Sequence, residues 1–296
     1  LMYAYAVLLP HMAKDLDLSL SQVFGVLSVG LLFGGLLSPL SGYLTDRFGG
    51  RWVMVGGTVF AGLSLVAMSQ VNTWQQLLIT ILVAEAAGMF VLYNVAFASV
   101  ARLNLSVSTQ RSISIITLFG GVASTIFWPL TLVLFNIHGW QLTWMILGAA
   151  YLIVCLPIHA IVLNGPERDN AGVGKALAPN WPELQGEARK RGMLWMVLSF
   201  IFSGYLMGAI MTLWVTNVQD LGHTAAMAAV AGAVIGPFKT VGRFFEMLIN
   251  QNMHPLKTYL LALSLQFGGL VLLLSFGFST LGTVSYTHLT LPTIVR

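Results

Sequence analysis

Charge is what this chain has least of: Asp, Glu, Lys and Arg make up 8% of its 296 residues, while apolar types make up 57%. A soluble globular domain carries about a quarter charged residues, so a water-surrounded enzyme or binding module is excluded. Cysteine occurs once, at Cys155, inside an apolar stretch. One thiol cannot close an intrachain disulfide, and a small core residue is its simplest reading. Metal-ligand spacing, a phosphate-cradling glycine loop and a nucleophile elbow are all missing from the sequence. No metal, cofactor or catalytic residue is therefore expected. Residues 146–162 are apolar without a polar–apolar alternation, which argues against a transmembrane β-barrel. The net charge of +4 gives no basis for nucleic-acid binding; the placement of the charges says more.

What is present is a series of apolar stretches of about 20 residues, with mean hydropathy +0.83. That is the length a helix needs to cross the hydrocarbon core. The fold class expected is an all-α polytopic membrane protein. A piece of a first helix covers 1–12, and full helices are expected near 21–44, 52–70, 75–103, 112–136 and 141–163. A polar stretch then holds Pro166, Pro179, Pro182 and nine charged residues, which reads as a linker. Further helices follow near 193–218, 224–246 and 255–276. The domain organisation is thus a first bundle over 1–164, a linker over 165–193 and part of a second bundle over 194–283.

Lys and Arg set the orientation. Arg47, Arg51, Arg102, Arg111, Arg168, Lys175, Arg189, Lys190, Arg191, Lys239, Arg243 and Lys257 fall on one side, and only Lys14 lies in a loop of the other. By the positive-inside rule the loops at 46–51, 102–111, 165–193 and 246–257 are cytoplasmic, in a multi-pass protein of the cell membrane.

The densest local signal is the decapeptide Gly42-Tyr43-Leu44-Thr45-Asp46-Arg47-Phe48-Gly49-Gly50-Arg51, between two long apolar runs. It reads as a tight turn: glycines let the backbone reverse, and Asp46, Arg47 and Arg51 must sit at the water boundary. It resembles the loop 2–3 signature of the major facilitator superfamily, G-x-L-x-D-R-x-G-x-R. Gly42, Leu44, Asp46, Arg47, Gly49 and Arg51 match every fixed position. A shift of 200 residues also lays Gly42, Leu44 and Asp46 over Gly242, Phe244 and Glu246, as expected for two parallel six-helix halves.

The resemblance implies two six-helix bundles, the second incomplete here, with helices 1 to 9 present and helix 1 short. Residues 284–296 resemble the translation of a transposase sequencing adapter and are set apart from the fold. With no starting methionine, the chain reads as a fragment lacking the start of helix 1 and helices 10–12. The resemblance further implies secondary transport by alternating access, with Asp46 bracing the cytoplasmic helix ends against Arg102. The antiporter signature of helix 5 in that superfamily is missing: the stretch reads Gly120-Gly121-Val122-Ala123-Ser124-Thr125-Ile126-Phe127-Trp128-Pro129. Arg111 followed by small and apolar residues and Gly120-Gly121 is similar to monocarboxylate-type facilitators.

Four residues are candidates for handling substrate or protons. Glu85 is the carboxylate deep in an expected span, where it must be protonated, paired or facing water. It is either a proton-coupling site or a packing residue. Tyr93 is expected on roughly the Glu85 face, as a hydrogen-bonding or a core residue. Lys239 and Arg243 share one face of helix 8. Lys239, two residues beyond Pro237, could attract an organic anion, or snorkel or pair; Arg243 could pair with Glu246. His11, His138 and His159 read as packed or interfacial. Gly30/Gly34 and Gly121/Thr125 read as close helix contacts, and Trp128-Pro129 as a kink with a bulky wall residue.

The expected function is movement of a small organic solute, an anion such as a monocarboxylate, with proton coupling or facilitated diffusion. Drug or metabolite efflux by the same superfamily is the alternative. A membrane receptor or enzyme fits poorly, since no soluble domain and no acidic or histidine cluster is apparent. The expected partners are a small-molecule substrate, H+ in the coupled case, and the lipid bilayer; a monomer is expected.

Overall fold

The computed structural model describes residues 2–102, 109–163, 185–220, 222–249 and 255–276. Among them there is no strand. Helix α1 spans Met2–Asp15, α2 Leu20–Phe48, α3 Gly50–Met68, α4 Trp74–Met89 and α5 Tyr93–Arg102. The long α6 covers Thr109–Ala150 and passes through a π-helical turn, Tyr151–Cys155, into α7, Leu156–Val162. Then come α8 (Gly186–Asp220), α9 (Ala225–Ile249) and α10 (Pro255–Phe276). Among the described residues, six helical stretches are long and apolar enough to cross a membrane.

Local chemistry explains where these helices begin and bend. Ser19 caps α2: its hydroxyl accepts from the Gln22 amide, and the Gln22 side chain accepts from the Ser19 amide at 2.9 Å. That reciprocal pair satisfies two otherwise orphaned donors. Thr73 caps α4 in one direction, its hydroxyl accepting from the Gln76 amide. Inside α6, Gly139 departs from helical angles (φ 76°), a conformation glycine adopts without a Cβ penalty. This kink is the boundary between the helices expected at 112–136 and 141–163.

Two expectations from the sequence are overturned. The decapeptide is not a turn: α2 continues through Phe48, and Gly49 alone (φ 78°) separates it from α3. The helix expected over 75–103 is broken, with α4 ending at Met89 and α5 restarting at Tyr93. Pro129 and Pro237 lie inside α6 and α9.

The helices group into two compact units. One comprises 7–115 with 130–170. Its centre is the crossing of α2 and α4, where Gly30 and Gly34 let α4 approach. A Cβ on Gly34 would sit 2.9 Å from the Glu85 carbonyl oxygen, and one on Gly30 2.5 Å from Ile81. Gly62 and Gly148 similarly admit α3 against the far limb of α6. Without a hydrophobic drive between helices in lipid, such close backbone approach is a main source of packing energy.

The second unit comprises 1–6, 116–129 and 171–296. There the Thr125 hydroxyl donates to the Ala233 carbonyl at 3.0 Å, and a Cβ on Gly121 would press on Thr240 at 2.8 Å. Trp128 is fully buried against Gly232, a packing residue within this unit. Between α8 and α10 the Tyr259 hydroxyl donates to Ser199 at 2.8 Å and Ser203 to Gln266 at 2.7 Å. The 200-residue shift lays α2 over 220–248, close to the span of α9.

Candidate functional site

The charged residues of the signature gather where the C-terminal end of α2 meets α3 and α5. The last four carbonyls of a helix have no partner within it. At the end of α2 the Thr45 carbonyl is reached by the Gly49 amide at 3.1 Å, and the Asp46 carbonyl is one of those left over. Arg102, the last residue of α5, reaches them: one guanidinium nitrogen donates to the Thr45 and Asp46 carbonyls at 3.1 and 3.3 Å. The other donates to the Asp46 carboxylate at 2.5 Å. A cation at this end also complements the negative pole of the helix dipole. Asp46 is largely exposed, and Arg102 is about one quarter exposed.

Steric fit locks the same junction. Gly50 packs on Ser99 so closely that any Cβ there would overlap the Ser99 hydroxyl. Thr45 and Ser99 are buried, each donating within its own helix, to Ser41 and Val95. Gly42, by contrast, faces open space, where a Cβ would meet nothing within 4 Å. Arg47 is under no such constraint; it donates to the Tyr43 hydroxyl at 3.2 Å and lies over the Phe48 ring. Arg51 lies over the Trp52 ring at 5.0 Å.

Farther along α4, Glu85 is buried, 6% exposed, beneath Gly30 and Gly34. Tyr151, first residue of the π-helical turn, lies within electrostatic range of it. Turns of that kind are rare and concentrate at functional sites. Tyr93 does not share the Glu85 environment. The break at 90–92 cancels the helical register that linked them, and Tyr93 is half-exposed and stacked on Phe97. Lys239 and Arg243 occupy helical positions in α9, but their side chains, and Glu246 beside them, lie outside the described residues.

Two contacts have no counterpart in the sequence reading. The Thr58 hydroxyl, fully buried in α3, donates to the Met54 carbonyl at 2.6 Å and lies 2.7 Å from His159 Nδ1. A hydroxyl has one proton, so the tautomer of His159 sets this bond: with the Thr58 proton on Met54, Nδ1 is the donor. Asn94 donates to the Ser38 hydroxyl at 3.3 Å, tying α5 to α2 beside Pro39. Neither pair has a periodic signature, since their partners are 101 and 56 residues apart. At the opposite end of the same unit, the Trp140 indole donates to Asp15 at 2.7 Å and the His11 ring stacks on Phe135.

Membrane-length apolar helices, glycine-mediated crossings and a basic helix junction define a polytopic α-helical membrane protein. The chain belongs to the Major Facilitator Superfamily, whose profile matches residues 1–294. It is 30% identical over 164 residues to monocarboxylate transporter 1 of Homo sapiens, covering 53% of this chain and 31% of that protein. It is 28% identical over 152 residues to a fujikurins efflux protein of Gibberella fujikuroi, covering 51% and 32%. It is also 28% identical over 256 residues to the 4-hydroxybenzoate transporter PcaK of Pseudomonas putida, covering 73% and 54%. The matched segments thus span from about a third to about half of these relatives. A solved D-xylose-proton symporter superposes with TM-score 0.63 at 12% identity, over 98% of this chain and 76% of the symporter, which establishes the shared fold.

Proposed function

We propose that this protein is part of a secondary transporter that moves a small organic anion, such as a monocarboxylate, by alternating access. The observation that carries the reading is the likeness to proteins named for monocarboxylate and 4-hydroxybenzoate transport, together with the signature junction. Two bundles that rock about a midplane site need helix ends that dock in one state and part in another. Asp46 and Arg102 supply such a contact: a directional pair at the end of two helices, exposed enough to exchange partners. The junction stands on the side read as cytoplasmic from the Lys and Arg distribution.

Glu85 is the proton-handling candidate. A buried carboxylate at that depth must be protonated, paired or facing water, which makes it the residue through which a proton would couple to transport. Lys239 is the candidate anion anchor. The test is uptake of labelled L-lactate and 4-hydroxybenzoate by proteoliposomes under an imposed inward proton gradient. Gradient-dependent uptake that Glu85→Gln uncouples and Lys239→Gln abolishes supports the reading. No carboxylate uptake above empty liposomes removes it.

The likeness to an efflux protein favours a second reading, export of a metabolite. The same vesicles separate the two: export predicts accumulation only in the fraction with the basic side outward.

A further inference from the structure

In the second unit, the seam between α6 and α9 holds more polar atoms than it satisfies. Trp128 is fully buried, and its indole Nε1–H meets no acceptor among the described residues. The ring lies over α9 where Gly232 leaves room; a Cβ there would sit 2.9 Å from Trp128 Cδ2. Tyr3 of α1 flanks the indole, with ring centroids 5.8 Å apart. Toward the start of α6, a Cβ on Gly121 would sit 2.8 Å from the Thr240 hydroxyl of α9. That hydroxyl is also buried without a hydrogen-bond partner. Each such group bears the full cost of its lost hydration while the seam is closed.

Between these two points the seam is satisfied by an exchange of partners. Pro237 has no amide hydrogen, so the Ala233 carbonyl, one turn before it in α9, lacks its usual helical donor. The Thr125 hydroxyl of α6 donates to that carbonyl instead, at 3.0 Å. This bond fixes the register of α6 on α9 beside Gly232, and with it the seat of the indole. Across the same seam, then, a stray carbonyl is answered and the Trp128 donor is not. A buried donor left unpaired marks a place where a bound group completes the bonding. An indole N–H can only donate, and a carboxylate oxygen is the strongest acceptor it can take.

Resting on the anion-transport reading above, we infer that Trp128, besides packing the seam, binds solute: its indole N–H donates to the carboxylate of the carried anion when α6 and α9 part. Closed, the seam keeps the donor dry and unpaired. Opened, it lets the solute supply the acceptor, so only the solute-holding state gains the hydrogen bond. A ligand shifts a conformational equilibrium by that kind of difference in affinity. Gly232 and Thr125 act through Trp128 as positioning residues, one seating the ring and the other holding the register.

The experiment uses the purified protein in proteoliposomes for uptake, and in lipid nanodiscs with nitrogen-15 tryptophan for spectra. Loss of one indole N–H resonance in Trp128→Phe assigns it. L-lactate or 4-hydroxybenzoate should move that resonance downfield, as a new N–H···O bond does, and sodium chloride should not. A second variant carries benzothienylalanine at position 128, which puts sulfur in place of the N–H and keeps the shape of the ring. A hydrogen bond to a charged group is worth a factor on the order of ten to a hundred in affinity. Both variants should therefore raise the half-saturating solute concentration by about that factor, with a smaller change in maximal rate. Unchanged half-saturation in the sulfur variant, or a resonance that neither solute moves, overturns the inference while carboxylate uptake keeps the transport reading standing. A fall in maximal rate alone assigns Trp128 to packing only and overturns the inference as well. Absence of carboxylate uptake by the unmodified protein removes the transport reading, and the role of Trp128 with it.

Discussion

Arg102 closes on Asp46 with both arms of its guanidinium, one nitrogen on the carboxylate at 2.5 Å and the other on the carbonyls that end α2. The two halves of this contact differ in strength. The exposed ion pair contributes about 0–1 kcal/mol, whereas capping the helix end gives the Asp46 carbonyl a donor and adds a second one to the Thr45 carbonyl, which already accepts from the Gly49 amide. Asp46→Asn should therefore lower thermal stability in detergent by less than about 1 kcal/mol. Arg102→Ala should cost more, and Arg102→Lys should recover only part, because a lysine lacks the planar fork. Equal melting temperatures for Asp46→Asn and Arg102→Ala would show that capping contributes nothing.

Two signature glycines should behave in opposite ways. Gly42 faces open space, and Gly50 is pressed against Ser99. Gly42→Ala should be neutral or stabilising by up to about 1 kcal/mol, as for an exposed helix position. Gly50→Ala should destabilise by about 1–3 kcal/mol through overpacking. Ser99→Gly introduced with Gly50→Ala should restore part of the loss, a non-additive result that thermal unfolding can detect.

The Thr58–His159 pair is a test of tautomer. Thr58→Val removes the acceptor for His159 Nδ1–H and leaves a donor without its partner, at a cost of about 1–3 kcal/mol. Thr58→Ser keeps the hydroxyl and should cost little. Nitrogen-15 chemical shifts of His159 should report Nδ1 protonated in the original protein and a change in Thr58→Val. Identical shifts in both would separate the two residues.

Trp140 and Asp15 join α1 to the turn at Gly139. Trp140→Phe retains most of the buried ring but loses the donor, so a loss of about 1 kcal/mol is expected. Asp15→Asn, which keeps an acceptor, should lose less. The comparison of midpoints in thermal unfolding decides it; a larger loss for Asp15→Asn would mean that charge, not the indole bond, holds the corner.

Membrane class and the position of the basic junction were legible because each depends on local properties: hydropathy over about 20 residues, lysine and arginine placement, and a short signature. The helix expected over 255–276 coincides with α10. The Gly30 and Gly34 spacing signals a close crossing, and the structure places Glu85 there. The decapeptide misled because glycine and charge in one short stretch are the usual marks of a turn. Yet Gly42 through Phe48 can propagate a helix, and only Gly49 needs positive φ.

Sequence by itself determined that this chain lies in a bilayer as apolar helices, and which residues sit at its basic end. Burial of peptide groups in lipid leaves few alternatives to helices, and charge cannot stay in the hydrocarbon. Tertiary structure alone decided that Arg102 caps α2, that Tyr93 leaves the Glu85 face, and that Thr58 meets His159. Those outcomes depend on helix rotation, a break at 90–92 and a crossing distance, none of which local composition encodes.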